Sequence, residues 1–321
     1  MSRLVPVKDR AGKGYFAQPS AATLVERLLA DKRSEHTKKA YAKDLKDFFR
    51  TTTGREPTAQ MVTAFLDLER AEAKSVVLDY KAKLIERGLS EATVNRRLSA
   101  LRALVRYAYE AGQCDWTLSV RNEKVKPYRD TTGISREAYR KVLLVPNRET
   151  LKGKRDFALL RLLWDNALRR GEISCADIKH FDSEARTLKI YGKGKGTQVE
   201  VVDLSRAATA ALLDWLVERG DTNPDAPLFV ALDRANEGHR LTGSAIAWIV
   251  KETCLAAGIT KPMSPHRIRH SSITAALDAT DGNVRKVQKL SRHTQLDTLM
   301  IYDDNRQKWQ LEITDLLAEM V

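Results

Sequence analysis

The sequence predicts a protein that is mainly α-helical with a small β-sheet, divided into a helical domain and a following α+β domain. Three observations support this class. Apolar residues recur at spacings of three and four through residues 21–116, as on one face of a helix. Two alternating segments within residues 187–204 flank a glycine-lysine turn, which is typical of a β-hairpin. The chain of 321 residues is also long enough for two cores.

The first part of the chain is predicted to be a mobile arm, residues 1–20, followed by a helical domain, residues 21–116. The arm is polar and carries no helical period. Gly88 and Gly112 end helical patterns, as glycine commonly does. The predicted helices of the domain are AATLVERLLADK, HTKKAYAKDLKDFF, TAQMVTAFLDLE, KSVVLDYKAKLIERG and SEATVNRRLSALRALVRYAYEAG.

The last of these helices is predicted to carry a DNA-binding face. Its apolar positions Val94, Leu98, Leu101 and Val105 share one side and should meet the core. No acidic residue follows nearby in the chain until Glu110, which favours phosphate contacts over a merely solvated face. The arginines predicted to contact phosphates are Arg96, Arg97, Arg102 and Arg106.

Residues 117–133 are polar and basic without a clear period and are predicted to be a linker. From residue 134 to 321 the pattern predicts the mixed domain. A buried helix, a turn and the start of a second helix occupy 157–173, and the hairpin places Lys193 and Lys195 at its tip. Further helices are predicted at 206–219, 243–257 and 265–279, with two short ones after Gly282.

The helix predicted at 265–279 begins with an unusual concentration of cations. Ser264 is a good N-cap and Pro265 suits the first helical position. His266 and Arg269, three residues apart, share a face of the first turn, where the helix dipole disfavours cations. That placement favours an anion-binding site, with a solvated basic face as the alternative.

Composition limits the partners of the chain. There are 55 Lys and Arg residues against 42 Asp and Glu, giving a net charge of +13. Such a balance favours a polyanion, which is most often nucleic acid, although a basic membrane-binding surface would give the same total. No run is long and apolar enough for a membrane span, and the start lacks the apolar centre of a secretion signal. Three scattered cysteines suit a reducing compartment. A cytoplasmic protein that is not membrane-bound is therefore expected.

Five motifs in order identify a family. They are LRRGE (168–172), YGKGKG (191–196), SPHRIRHS (264–271), VQKLSRH (287–293) and IY (301–302). With them the chain resembles the tyrosine recombinases of the phage-integrase and Xer kind. The resemblance covers residues 134–302 and extends less specifically to the helical domain. It implies an N-terminal SAM-like core-binding domain, an α+β catalytic domain and site-specific DNA recombination.

The resemblance also implies the catalytic residues and their roles. Two arginines hold the scissile phosphate, a lysine on the hairpin protonates the leaving oxygen, and one histidine accepts or orients a proton while another binds the phosphate. A tyrosine attacks the phosphorus. The product is a 3′-phosphotyrosine, and strand exchange passes through a Holliday junction without metal or cofactor. These residues are Arg169, Lys193, His266, Arg269, His293 and Tyr302, with Lys195 and Arg292 as further DNA contacts.

One departure from the family pattern affects the site. The chain has Ser291, Arg292 and His293 where related sequences usually have Leu-Gly-His. If that glycine has a positive φ angle, Arg292 must either adopt a strained conformation or change the turn. The placement of His293 therefore depends on this turn.

The tail after Tyr302 is predicted to form a docking helix. Residues 308–321 predict a helix with an apolar stripe that docks on a neighbouring protomer, or else on its own domain. The expected assembly is a dimer on one double-stranded DNA site with inverted-repeat arms, and a tetramer in the synapse.

A type IB topoisomerase and a catalytically silent DNA-binding protein are the alternative functions. A zinc site at His266, His270 and His293 is disfavoured because it has no fourth ligand.

Overall fold

The structure is a computed structural model that describes residues 23–125, 133–192, 198–304 and 309–320. The chain separates into two compact units, with the boundary between Tyr128 and Arg129. Within the described ranges, every helix is too short or too polar to traverse a lipid bilayer.

The first unit is a bundle of helices that begin at side-chain caps. Thr23, Ser34 and Thr58 each accept a hydrogen bond from the amide three residues on, which satisfies an otherwise unpaired donor. The predicted helical pattern is confirmed. The helices are α1 (Leu24–Ala30), α2 (Glu35–Thr53), α3 (Ala59–Leu66), α4 (Arg70–Glu86) and α5 (Glu91–Glu110).

Aromatic rings fill the centre of the first unit. Phe48 meets Phe65 and Tyr80 edge to face, with ring centroids 5.1 Å apart in both pairs, and Trp116 meets Phe65 at 5.9 Å. Edge-to-face contacts of this kind stabilise a core beyond the area that they bury. The core therefore extends past the end of α5.

The segment after α5 is held against this unit, in contrast to the predicted linker. Val120 is buried in the helical core. The Asn95 side chain donates to the Glu123 carbonyl and accepts from the Glu123 amide, at 2.9 and 2.7 Å. Lys81 donates to the Arg121 carbonyl at 3.0 Å. Residues up to Glu123 thus share the contacts of the helical unit.

The second unit has helices around a three-stranded antiparallel sheet of order β1-β2-β3. The predicted helices and hairpin strands are confirmed, whereas α6, β1 and a short 3₁₀ turn at Ile178–His180 were not predicted. The elements are α6 (Arg136–Leu144), α7 (Leu151–Asp165), α8 (Arg170–Ser174), β1 (Phe181–Asp182), β2 (Thr187–Tyr191), β3 (Val199–Asp203), α9 (Arg206–Arg219), α10 (Gly243–Ala256), α11 (Pro265–Asp278), α12 (Val284–Ser291), α13 (Asp297–Asp304) and α14 (Trp309–Glu319).

The hairpin of β2 and β3 has a regular register. Leu188 pairs with Val202 and Tyr191 with Val199. Leu188 and Ile190 are buried while Lys189 and Tyr191 are exposed, which is the alternation expected of a half-buried strand. The predicted tip residues Lys193 and Lys195 lie outside the described residues.

Helix α7 is the central element of the second unit. Its residues Leu159, Leu160, Leu162 and Leu163 are all fully buried. A helix that is apolar around most of its circumference must be covered on several sides, and α9 and α11 pack against it. The buried end of α7 leads directly into residues 166–169, so the core fixes where this segment begins.

Candidate active site

Helix α11 presents His266 and Arg269 as the sequence predicts. The Ser264 hydroxyl accepts a hydrogen bond from the Arg267 amide at 3.3 Å, and Pro265 is the first helical residue. The cap fixes the start of the helix, so residues three apart share one face. His266 is exposed, whereas Arg269 is only 2% exposed.

The Arg269 guanidinium joins two chain segments. It donates to the carbonyl oxygens of Ala167 and Ser291, which precede Arg169 and His293 respectively. Burial, together with the charge of the neighbouring Arg169, lowers the pKa of Arg269 to about 9. The guanidinium still carries its charge at neutral pH, so the interior of the site is positive.

Arg169 is held by a carboxylate from its own helix. Arg169 is the N-cap of α8, and its amide donates to Glu172 Oε2 at 2.8 Å while its guanidinium donates to Oε1 at 2.7 Å. Glu172 is 2% exposed, but the Arg169 side chain remains partly exposed. The guanidinium is therefore anchored on one side and accessible on the other.

Arg292 differs from the prediction of a DNA contact. It ends α12 with φ 54° and ψ 34°, in the left-handed region, as expected for a position where glycine is usual. Its side chain is almost fully buried and donates to Glu172 Oε2 at 2.8 Å. A guanidinium enclosed in this way cannot meet a DNA phosphate, and the turn keeps its left-handed form despite the larger side chain.

A chain of ring contacts links the start of α11 to Tyr302. The Nε2 atoms of His266 and His270 lie 2.8 Å apart, at hydrogen-bonding distance. The His270 ring in turn stacks on Tyr302, with centroids 4.7 Å apart and an interplanar angle of 22°. His270 thus contacts both Tyr302 and His266, the residue that the family resemblance implies accepts or orients a proton.

His293 is a second imidazole close to the tyrosine. Its ring centroid is 5.9 Å from that of Tyr302. Burial, together with the charges of Arg269 and Arg169, lowers the pKa of His293 to about 4. The imidazole is therefore neutral at pH 7. Its Nδ1 atom is buried and finds no hydrogen-bond partner within the described ranges.

Tyr302 is buried on α13. It packs with Ala167, Ile273, Leu277 and Leu299 and is 3% exposed. Ala167 is also the residue whose carbonyl accepts from Arg269. The tyrosine and the arginine therefore converge on the same short segment.

The arginines predicted to bind DNA from α5 do not form one free face. The prediction that Arg97 points away from the core is wrong, since Arg97 is buried and pairs with Asp47, close to the Tyr80 hydroxyl. The reason is that α2 supplies acids that are distant in sequence. Arg96 pairs with Asp44, Arg102 donates to the side chain of Asn122, and Arg106 is exposed.

Among the described residues, no group of three or more His, Cys, Asp or Glu side chains is arranged to hold a metal ion.

Glu172 has a part in the site that the sequence did not predict. Its spacing of three residues after Arg169, at the start of a helix, is the signal that could have identified it, because residues at that spacing interact. The contact with Arg292 spans 120 residues and has no such local signal.

Comparison with known proteins defines the class. The model of the phage integrase family matches residues 135–308, and the model of the phage integrase N-terminal SAM-like domain matches residues 22–112. "Tyrosine recombinase slr0733" of Synechocystis sp. is 49% identical over 300 residues, covering 93% of this chain and 95% of the relative.

Solved structures show the same fold. XerH recombinase bound to palindromic difH substrate, in a post-cleavage complex, has a TM-score of 0.64 at 20% identity, covering 92% of this chain and 84% of that one. A lambda integrase dimer bound to a core site has a TM-score of 0.62 at 14% identity, covering 88% and 94%.

The helical unit, the α+β unit and the cluster of arginines, histidines and a tyrosine define a DNA breaking and rejoining enzyme. The chain belongs to the phage integrase family of tyrosine recombinases and is a site-specific recombinase. The fold class predicted from the sequence, with its SAM-like N-terminal domain and integrase catalytic domain, is confirmed.

Proposed function

We propose that Tyr302 is the nucleophile, attacking a DNA phosphate to give a 3′-phosphotyrosine and a free 5′ hydroxyl. The observation that carries the proposal is that the Tyr302 ring lies close to two imidazoles, with centroid distances of 4.7 Å to His270 and 5.9 Å to His293. Tyr302 packs against Ala167, whose carbonyl is bound by Arg269. Because Tyr302 is 3% exposed, the proposal requires α13 to move when DNA binds.

Arg169 and Arg269 stabilise the charge that develops on the nonbridging oxygens during the attack. Guanidinium groups suit this role because they are permanently charged and donate in a fixed fork. The charge balance supports the assignment. Three guanidiniums lie around the single carboxylate of Glu172, so a phosphate would neutralise an excess of positive charge.

Proton transfers complete the reaction. Tyrosine has an ordinary pKa of about 10, so its hydroxyl must lose a proton as the new P–O bond forms. His266 accepts or orients this proton, and its contact with His270 supports that role. Lys193, on the hairpin, donates a proton to the leaving 5′ oxygen as the old P–O bond breaks. The neutral His293 hydrogen bonds the phosphate.

The energy of the broken bond is kept in the phosphotyrosine. A 5′ hydroxyl from a partner strand can therefore attack it in the reverse direction, and two such exchanges pass through a Holliday junction. No nucleotide is consumed. The outcome is integration, excision or resolution of mobile DNA, and we place this activity in the cytoplasm, where a bacterial chromosome would lie.

The test is a nicked suicide substrate built on the recombination site of the protein. The wild-type chain should give a denaturation-resistant DNA adduct, and Tyr302→Phe should bind the same DNA without forming one. Tyr109→Phe is the matched control, because Tyr109 is exposed on α5 in the helical unit. An undiminished adduct in Tyr302→Phe would remove Tyr302 as the nucleophile.

The proposed partner is double-stranded DNA with two inverted recognition arms, each bound by one protomer. The solved relative on palindromic DNA and the relative solved as a dimer on its core site support this arrangement. Arg102 and Arg106, together with Lys195 on the hairpin and the partly exposed Arg96, are the proposed phosphate contacts. Such contacts position a protein on DNA without reading its sequence.

A second copy of the chain is the proposed receptor of α14. The side chains of Ile313, Leu316, Leu317 and Met320 are between 54% and 79% exposed, so the predicted apolar stripe is not buried by the described residues. A cyclic exchange of this helix would link two protomers on one site and four in the synapse. The position of Tyr302 would then depend on the neighbouring protomer, since α13 directly precedes the exchanged segment.

Removal of residues 308–321 tests this assembly. The truncated chain should bind a single DNA arm as a monomer with near wild-type affinity, yet lose cooperative binding to two arms and lose synapsis. Gel mobility of one-arm and two-arm DNA measures both. If the truncation instead lowers thermal stability of the free monomer and leaves cooperativity intact, α14 belongs to its own domain.

A further inference from the structure

Two segments of the active site have backbone conformations that side chains rarely adopt. Ala167 has φ 46°, and Arg292 has φ 54°. Left-handed backbone is unfavourable for residues with a Cβ atom. Ala167 lies two residues before Arg169, and Arg292 lies one residue before His293. Both strained positions thus directly precede residues with proposed roles at the phosphate.

Two buried guanidiniums tie these segments together. Arg269 donates to the carbonyls of Ala167 and Ser291. Arg292 donates to the carbonyl of Asn166 at 3.1 Å and to that of Leu290 at 2.9 Å. Each arginine therefore bridges the segment before Arg169 and the end of α12. Arg269 reaches both from α11, whereas Arg292 is itself part of one of the segments.

Glu172 connects Arg292 to Arg169. Glu172 Oε1 accepts from the Arg169 guanidinium, and Oε2 accepts from the Arg169 amide and from Arg292. The Arg292 and Glu172 side chains are 5% and 2% exposed, so water does not screen this pair effectively. With Oε2 held by Arg292, the carboxylate has one orientation in which Oε1 faces Arg169.

We propose that Arg292 is a positioning residue for strand cleavage, acting through Glu172 to hold the Arg169 guanidinium toward the scissile phosphate. Its left-handed backbone is tolerated because the buried side chain makes contacts that glycine could not make. The inference rests on the proposed role of Arg169 at the phosphate. It differs from a DNA contact, because Arg292 would influence the rate of cleavage and leave DNA affinity unchanged.

Arg292→Gly is the informative variant, since it removes the guanidinium and also relieves the left-handed backbone. Single-turnover cleavage of the suicide substrate should slow about tenfold, with the dissociation constant for DNA within about twofold of wild type. Arg292→Lys, which keeps a charge without the fork, should recover part of the rate. Arg186→Gly is the matched control, because Arg186 is an exposed arginine with φ 51° in the turn before β2. Its cleavage rate should equal that of wild type.

A double-mutant cycle separates positioning from a structural role at the end of α12. If Arg292 acts through Glu172, Arg292→Gly should slow cleavage less than about twofold in a Glu172→Gln background. Guanidinium ion at a concentration that does not denature the protein should speed up Arg292→Gly and not Glu172→Gln. Equal losses in both backgrounds, or an unchanged rate in Arg292→Gly, would overturn the inference.

Arg169→Ala keeps this test distinct from the proposed function. If Arg169→Ala cleaves as fast as wild type, the proposed phosphate site itself fails. If Arg169→Ala is slow while Arg292→Gly cleaves normally, only the role of Arg292 fails.

Discussion

The two units of the protein each contain a group of arginines, and the groups differ in how many carboxylates they share. On α5, Arg96 pairs with Asp44 and Arg97 pairs with Asp47. Asp47 also pairs with Arg87, so these three arginines share two carboxylates. In the catalytic unit, three arginines surround the single carboxylate of Glu172. Paired charges contribute to folding, whereas an excess of buried positive charge costs stability and requires an anionic ligand. The number of arginines alone therefore does not identify a binding site.

Burial strengthens the contrast. Arg269 is 2% exposed and makes its hydrogen bonds to two carbonyls, with no carboxylate within ion-pairing distance in the described ranges. Its pKa is lowered to about 9 by that burial and by neighbouring cations. In the helical unit, burial by itself would raise the pKa of Asp47. The pKa is nevertheless lowered, because the side chains of Arg87, Tyr80 and Arg97 stabilise the carboxylate. One cluster is electrostatically satisfied and the other is not.

The largest expected effect comes from replacing one arginine of the catalytic cluster with lysine, compared with the same replacement on α5. Arg269→Lys should lower single-turnover cleavage by about 10²–10³-fold, because the lysine cannot hold two carbonyls and also face a phosphate. Arg97→Lys should leave the rate on saturating DNA near wild type and lower the free energy of unfolding of the helical unit by about 2 kcal/mol. Quenched single-turnover assays measure the cleavage rate, and urea titrations measure the free energy of unfolding. A comparable loss of cleavage in both variants on saturating DNA would show that the contrast has no functional meaning.

The fold of both regions follows from local sequence to different extents. Ser264 and Pro265 begin α11 as predicted, and the alternation of Leu188 and Ile190 gives the strand of the hairpin. These signals depend on neighbours within one turn or one strand. The pairing of Arg97 with Asp47 joins residues 50 positions apart, so periodicity along α5 could not indicate it. The prediction for Arg97 was wrong for this reason.

The same limit applies to the active site. The order of the motifs predicts that five residues belong to one site, and the structure places them in adjoining segments. These residues are Arg169, His266, Arg269, His293 and Tyr302. The sequence predicted either a strained Arg292 or a changed turn, and φ at Arg292 is 54°. That the guanidinium would fold inward onto Glu172 depends on a contact between side chains 120 residues apart in the chain. No pattern within either segment encodes that contact.

A smaller effect is expected from pH and concerns His293, which burial and the neighbouring cations keep neutral at pH 7. The pKa of His293 is about 4 in the folded protein, below its ordinary value of about 6.5 in the unfolded chain. Between these values the unfolded chain binds more protons, so this part of the stability is present above pH 6.5 and is lost as pH falls toward 4. With partial exposure taken into account, the loss is about 2 kcal/mol.

His293→Gln should remove this dependence, giving a flatter curve of unfolding free energy between pH 6.5 and 4 in urea titrations. His239→Gln, which replaces an exposed histidine, is the control and should keep the wild-type curve. If His293→Gln retains the full slope, the pKa of His293 is not lowered by its burial and the neighbouring cations.

The smallest effect concerns Arg106, which is exposed and forms no ion pair among the described residues. A phosphate contact releases a counterion, so Arg106→Ala should flatten the log-log dependence of DNA affinity on salt by about 0.9. Arg148→Ala is the matched control, since Arg148 is also exposed but pairs with Asp214 at 2.7 Å in the catalytic unit. Its salt dependence should equal that of wild type. Fluorescence anisotropy on a one-arm DNA at several salt concentrations measures both slopes. Equal slopes for Arg106→Ala and wild type would show that Arg106 does not contact a phosphate. Exposure alone would then not identify the DNA-binding arginines of α5, and the helical unit would contact phosphates through another face.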